Sequence, residues 1–150
     1  MTLSLFLSIV SAIIAVLGFY AGFLTRKANL ITYIENQLII RAKECNQYII
    51  QGTLQPPVKT EDVSAVLTNI IYSKRIIDLN YKHHKLLLSK YDGDEFILFF
   101  YLQVHTSIIE LVKCDLPSGI DPFLIADIAS QHLACQGFLK KIIDLDPSKP

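Results

Sequence analysis

Residues Leu3–Leu24 read LSLFLSIVSAIIAVLGFYAGFL, a stretch with no charged side chain that carries small residues at Ser4, Ser8, Ser11, Ala15, Gly18 and Gly22. Its 22 residues extend about 33 Å as a helix, against about 30 Å for a bilayer's hydrocarbon core. The segment is therefore predicted to span a membrane. A cleaved signal peptide wants a basic leader and a shorter apolar run ending in a small-residue cleavage site. Here the leader is MTLS and the run is longer, so the span is the preferred reading.

Arg26 and Lys27 follow the span and nothing basic precedes it. The positive-inside bias then places the carboxy-terminal part of a single-pass protein in the cytoplasm. The division expected is a membrane helix over 1–25 and a helical domain over 26–150, which is long enough for one modest core. Lys plus Arg balance Asp plus Glu at 14 each, which gives no reason to expect DNA or other nonspecific nucleic acid as a partner. Cys45, Cys114 and Cys135 are widely spaced and odd in number. They suit a reducing compartment and read as buried thiols rather than a disulfide framework or a zinc site.

The whole chain reads as all-α: one amino-terminal transmembrane helix running into a domain of about four helices. From Arg26 to Gln51 there is no Pro or Gly, and Ile31, Ile34, Leu38, Cys45 and Ile49 recur at helical spacing. One helix is thus expected to join bilayer to domain and to stop near Gly52, before Pro56 and Pro57. Thr60, followed by Glu61 and Asp62, is expected to cap the next helix. Its stripe is Val63, Leu67, Ile70, Ile77, Tyr81 and Leu88, with a break foreseen near Asn80 and a short strand over RIIDLNY as the alternative. After a turn at Tyr91–Asp94, Asp94 is expected to cap a third segment that includes Phe96–Leu102, apolar all round and therefore buried in the core, at an interface or against lipid, with a central core helix preferred. A second membrane span is its alternative, opposed by Gln103, His105 and Glu110. A last helix is expected from Asp121–Pro122, with its stripe through Leu124, Ile128, Cys135, Leu139 and Ile142, toward Asp146–Pro147. Gly137 within it is read as a close helix crossing.

The small residues of the span sit four, three, four, three and four apart, an average of 3.5 that keeps them on one seam of a supercoiling helix. Lipid has no need of such a seam, whereas helices that pack in a bilayer approach closely through small residues, and Gly18 with Gly22 is a GxxxG pair. Self-association through Ser4, Ser8, Ser11, Ala15, Gly18 and Gly22 is the expectation, with chance placement as the alternative. The same register continues through Thr25, Asn29, Thr32 and Asn36, all polar. Polar seam positions set partner number and alignment, or line a narrow wet path among several helices.

Between Lys74 and Lys90 the cations Lys74, Arg75, Lys82, Lys85 and Lys90 face a single acid, Asp78, around the run YKHHK. The bland reading is a solvated basic face or one resting on anionic headgroups. The functional reading is an anion site, multiplied around the axis of a symmetric oligomer, at which Tyr81, His83 and His84 stack on bases. Metal ligation by His83 and His84 is disfavoured because adjacent helical residues point about 100° apart. His105 and His132 read as satisfied polar groups inside the fold, and Asp92 and Asp94 as turn residues. No nucleophile motif, phosphate loop, metal set or cofactor motif is present in the sequence, so catalysis is not expected.

One amino-terminal span, a helical cytoplasmic domain and signs of oligomerisation together resemble the small membrane effectors of type III CRISPR antiviral systems, which are activated by cyclic tetra-adenylate. The resemblance implies a homo-oligomer, a tetramer by preference, and a cyclic oligonucleotide bound to the cytoplasmic domains while the membrane helices are perturbed or opened. Carried onto this chain, it makes Lys74, Arg75, Tyr81, Lys82, His83, His84 and Lys85 the ligand contacts. The alternating strand and helix pattern of the usual cyclic-oligoadenylate domain is absent, so a helical fold would carry the binding. The alternative from another class is a membrane-anchored adaptor or immunity protein that holds a protein partner.

Overall fold

A computed structural model of the chain describes residues 3–50, 59–116 and 120–143, excepting the side chains of Ile50, Lys90, Tyr91, Lys141, Ile142 and Ile143. The expected stops at Gly52, Pro56–Pro57 and Asp146–Pro147, and the packing of Ile142, lie outside the described residues. Those described form five helices and no strand: α1 Leu3–Ile50, α2 Thr60–His83, α3 Lys90–Gln103, α4 Thr106–Lys113 and α5 Ile125–Ile143. The all-α reading holds, with one long apolar helix at the amino terminus and four helices after it. RIIDLNY lies wholly within α2, which closes the strand alternative.

Two compact units divide the chain, residues 1–33 and residues 34–150. The first is the amino-terminal part of α1, whose most apolar window has none of its residues buried against the protein. This is the one helix among those described that is by itself long and apolar enough to cross a bilayer.

The second unit contains the remainder of α1 with α2–α5. Ile34, Leu38, Ala42 and Cys45 of α1 are buried, at the four, four and three spacing of a helix that packs one face. Val63, Val66, Leu67, Ile70, Ser73 and Ile77 form the buried face of α2, which packs on α5 and α3. α3 also meets α5, where the Phe100 and Phe138 rings are 6.2 Å apart at 42°. α5 supplies Ile128, Cys135, Phe138 and Leu139 to the core.

Local chemistry moves several boundaries. Thr60 does not cap α2, whose N-cap is Lys59 with no side-chain bond. The Thr60 hydroxyl is buried and instead accepts the Asp121 backbone N–H at 3.0 Å, tying the approach to α5 onto the start of α2. α2 runs unbroken through Asn80, whose amide donates to the Ile76 carbonyl at 2.8 Å. Its stripe ends at Ile77: Tyr81 is at the exposed margin, and Leu88 is buried from the turn beyond the helix.

Ser89, not Asp94, caps α3. Asp92 accepts the Ser89 N–H at 2.6 Å while the Ser89 hydroxyl receives the Asp92 N–H, a reciprocal capping box that makes Asp92–Asp94 part of the first helical turns. The long apolar segment then breaks after Gln103, and the chain direction bends by 112° between its two halves. Val104, His105, Thr106 and Ser107 are all poor helix formers, and the break frees backbone groups that need partners. Asn46 of α1 provides them, donating to the Gln103 carbonyl at 2.9 Å and accepting the His105 N–H at 2.8 Å. Phe96, Ile97, Phe100, Val104, Ile108, Ile109 and Val112 of this bent pair are buried in the domain, which is the expected core role. Burial is not all round, however, since Leu98 and Leu102 are exposed.

Asp121–Pro122 begins a turn rather than α5, with the Asp121 carboxylate accepting the Phe123 N–H at 2.9 Å. Leu124 is correspondingly 42% exposed, off the stripe assigned to it. Gly137 is exposed, and a Cβ placed there would meet nothing within 4 Å, so no close crossing occurs at it. Of the two histidines expected inside, His132 is buried with Nε2 3.0 Å from the Leu111 carbonyl oxygen. His105 is exposed and caps α4, its Nδ1 accepting the Ser107 N–H at 3.1 Å.

Candidate ligand and membrane surfaces

The basic cluster is built on the carboxy-terminal half of α2 and the turn that follows. At about 100° per residue, Tyr81, Lys74, Asp78, Lys82 and Arg75 fall within about 120° of one helix face. All five are exposed, Tyr81 only just. Lys74 and Asp78 close an i,i+4 ion pair at 2.5 Å. With side chains 47% and 60% exposed, this pair contributes little stability, but it removes one cation and the only acid from the local balance. Arg75 and Lys82 have no ion pair among the described residues.

The structure does not bring all seven proposed contacts together. His83, the last residue of α2, points about 180° from Lys74. His84 is half-buried, and its backbone N–H closes the helix on the Asn80 carbonyl at 2.9 Å. Lys85 lies in the turn, where the Leu87 and Leu88 amides both donate to the His84 carbonyl at 2.9 Å. The face thus divides into a helical part of Lys74, Arg75, Tyr81 and Lys82, and a turn part of His84 and Lys85. Lys82 and His83 also stand at the negative end of the α2 dipole, where cations stabilise the helix itself.

Leu86, at the tip of this turn, is 92% exposed. Reading α2 as running to Leu88 hid it. The signal available was the run Leu86–Leu88 directly after YKHHK, three leucines of which a turn buries one and exposes another.

Among the described residues, grooves also occur elsewhere in the second unit. One of about 550 Å³ runs between α2 and α5, lined by Thr60, Glu61, Asn69, Tyr72, Asp127 and Gln131 among others. Another, of about 390 Å³, lies between α4 and α5 beside Lys113, Leu133 and Lys140. Neither contains a residue of the basic cluster. Among the described residues no group of three or more His, Cys, Asp or Glu is placed to hold a metal ion.

On the membrane-length part of α1, Ser4, Ser8, Ser11, Ala15, Gly18 and Gly22 are all exposed. The Ser8 hydroxyl donates to the Ser4 carbonyl at 3.0 Å, and Thr25 in the same register donates to the Ala21 carbonyl at 2.9 Å. These hydroxyls are therefore satisfied within the helix and add no unpaired donor to an apolar medium. No protein-family model, curated protein or solved structure matches this chain.

Proposed function

We propose that the chain is a membrane-anchored, non-enzymatic effector that assembles through α1 in the bilayer and responds to an anionic ligand on its helical domain. The observation that carries this reading is α1 itself. A single unbroken helix holds a bilayer-length apolar segment and, further along, the core residues Ile34, Leu38, Ala42 and Cys45. A ligand that prefers one arrangement of the domains shifts the membrane segments only if the two are mechanically joined, and a continuous helix joins them.

The ligand class follows from charge and from the architectural resemblance described above. Arg75 and Lys82 supply cations to phosphates, and Tyr81 supplies a ring for a base. A cyclic oligonucleotide, cyclic tetra-adenylate in particular, suits a symmetric assembly, preferably a tetramer, in which each copy contributes one such face. Antiviral defence at a bacterial inner membrane, with the helical domain in the cytoplasm and the bilayer perturbed or permeabilised on binding, belongs to the same proposal. Titration of the detergent-solubilised full chain with labelled cyclic tetra-adenylate tests it. Binding in the micromolar range, weakened at least tenfold by Arg75→Glu with Lys82→Glu, is the expected result. No binding at micromolar ligand retires the nucleotide.

A second reading, an anchored adaptor or immunity protein, is favoured by bulky apolar side chains turned to solvent at Phe123 and Leu133, 94% and 67% exposed. It predicts that charge reversal at Lys82 and Lys85 leaves function intact.

A further inference from the structure

The turn that closes α2 presents an apolar tip among cations. His84 holds it shut by accepting both the Leu87 and the Leu88 N–H, and Leu88 pegs it to the core at 3% exposure. Held in this way, the tip projects Leu86, 92% exposed, with the exposed side chain of Lys85 next to it and those of Lys82 and His83 on the last turn of α2. No acid occurs in the sequence between Asp78, which Lys74 already occupies, and Asp92, which is buried in the α3 cap.

We infer that this turn is a lipid contact, in which Leu86 enters the headgroup boundary of an anionic bilayer while Lys82 and Lys85 meet its phosphates. Three observations favour lipid over other occupants. A single leucine on a short turn is too small for a protein interface, which buries on the order of 800 Å² on each partner. It is the right size for shallow insertion, where apolar contact and attraction to anionic lipid add. The cations beside it are also not consumed by ion pairs within the described residues, so their charge is available to a negative surface. A span in the same chain raises the effective lipid concentration around the domain, so the contact works without high intrinsic affinity. The inference rests on reading α1 as a membrane span. It shares Lys82 with the face assigned to the nucleotide, but Leu86 and Lys85, which the test below changes, lie outside the Arg75, Tyr81 and Lys82 contacts used there.

The chain contains no tryptophan, so Leu86→Trp introduces a single reporter at a site where the fold does not constrain the side chain. The full-length variant is placed in nanodiscs of phosphatidylcholine, or of phosphatidylcholine with phosphatidylglycerol, at one copy per disc. Emission is expected to shift to the blue and to be quenched by brominated lipid in the anionic discs only. Adding Lys85→Gln is expected to weaken that association about fivefold, the effect of one basic residue near an anionic surface. An unshifted spectrum in both discs overturns the proposal, and so does an equal shift in both, because charge then plays no part. A shift that appears only with several copies per disc also overturns it, by making a second copy the occupant. Failure of the wild-type chain to enter discs at all would instead overturn the span.

Discussion

Thr60 shows how one hydroxyl can serve a different element from the one its neighbours suggest. With Glu61 and Asp62 after it, Thr60 has the composition of a cap, yet its oxygen receives the Asp121 amide from the far end of the α4–α5 connection. Thr60→Val keeps the shape and deletes the acceptor, leaving a partly buried N–H unpaired at a cost of about 1–3 kcal/mol. A lower urea midpoint for Thr60→Val, with most of the loss recovered by Thr60→Ser, is the expected outcome. The thiols make a second case. Cys45 and Cys135 are buried and donate to the consecutive carbonyls of Val66 and Leu67 at 3.8 and 3.4 Å. Burial pushes both thiols up to about 12, with Glu44 adding to the rise at Cys45 and Arg41 opposing it, and with Cys45 adding to the rise at Cys135. Only the exposed Cys114 is therefore expected to react with a thiol reagent at pH 8 in the native protein, and all three after unfolding. Below pH 9 these two thiols are protonated in both states, and their protection contributes fully to stability. Between pH 9 and 12 the unfolded chain releases their protons first, so stability falls as the pH rises through that range. Denaturant midpoints across that range, compared with those of a Cys45→Ala, Cys135→Ala variant, measure the difference.

At the scale of elements, the break between α3 and α4 shows where a sequence stops being informative. Helices were legible because Ile34, Leu38 and Cys45, or Val63, Leu67 and Ile70, recur at helical spacing, and a helix must bury such a stripe. Boundaries were less legible when tertiary partners set them. Gly93 resembles a turn residue until Ser89 and Asp92 lock the helix one turn earlier. Nothing between Gln103 and Ser107 is a strong breaker, and the bend becomes stable only because Asn46, more than fifty residues away, completes its hydrogen bonds. Asn46→Ala removes two such bonds and is expected to cost about 1–3 kcal/mol. A loss of amide protection concentrated at His105, measured by hydrogen exchange, separates this effect from general destabilisation. The same dependence limited the site: the charges of YKHHK were plain, but which of them share a face depended on α2 ending at His83. Apolar content also overstated burial in α3. Phe100→Ala is expected to cost about 3–5 kcal/mol, whereas Leu102→Ala, at a position 69% exposed, is expected to stay within about 0.5 kcal/mol.

At the scale of the whole molecule, the small-residue seam decides whether the chain acts alone or in copies. A seam repeating every 3.5 residues drifts by about 20° per heptad on a straight helix, so two such helices keep it in contact only by supercoiling. Such packing asks for low relief and for open space at the glycines, and the seam has both, with the Ser8 and Thr25 hydroxyls bonded to their own helix. Beyond the adjoining helix backbone, nothing among the described residues lies within 4 Å of a Cβ placed at Gly18 or Gly22, so leucine at either position fits the isolated helix and obstructs only a neighbour. That separates assembly from folding. Gly18→Leu with Gly22→Leu is expected to leave the helical signal and the urea midpoint of the domain unchanged. The dissociation constant in detergent should rise at least tenfold, a loss of about 1.4 kcal/mol or more. Ile13→Leu with Ile14→Leu, bulky on the other faces of the same helix, should leave it unchanged. Mass measurement across a detergent dilution series reads both variants. Equal assembly by all three chains would remove the seam as the contact, and with it the reason to expect a symmetric receptor for a symmetric ligand.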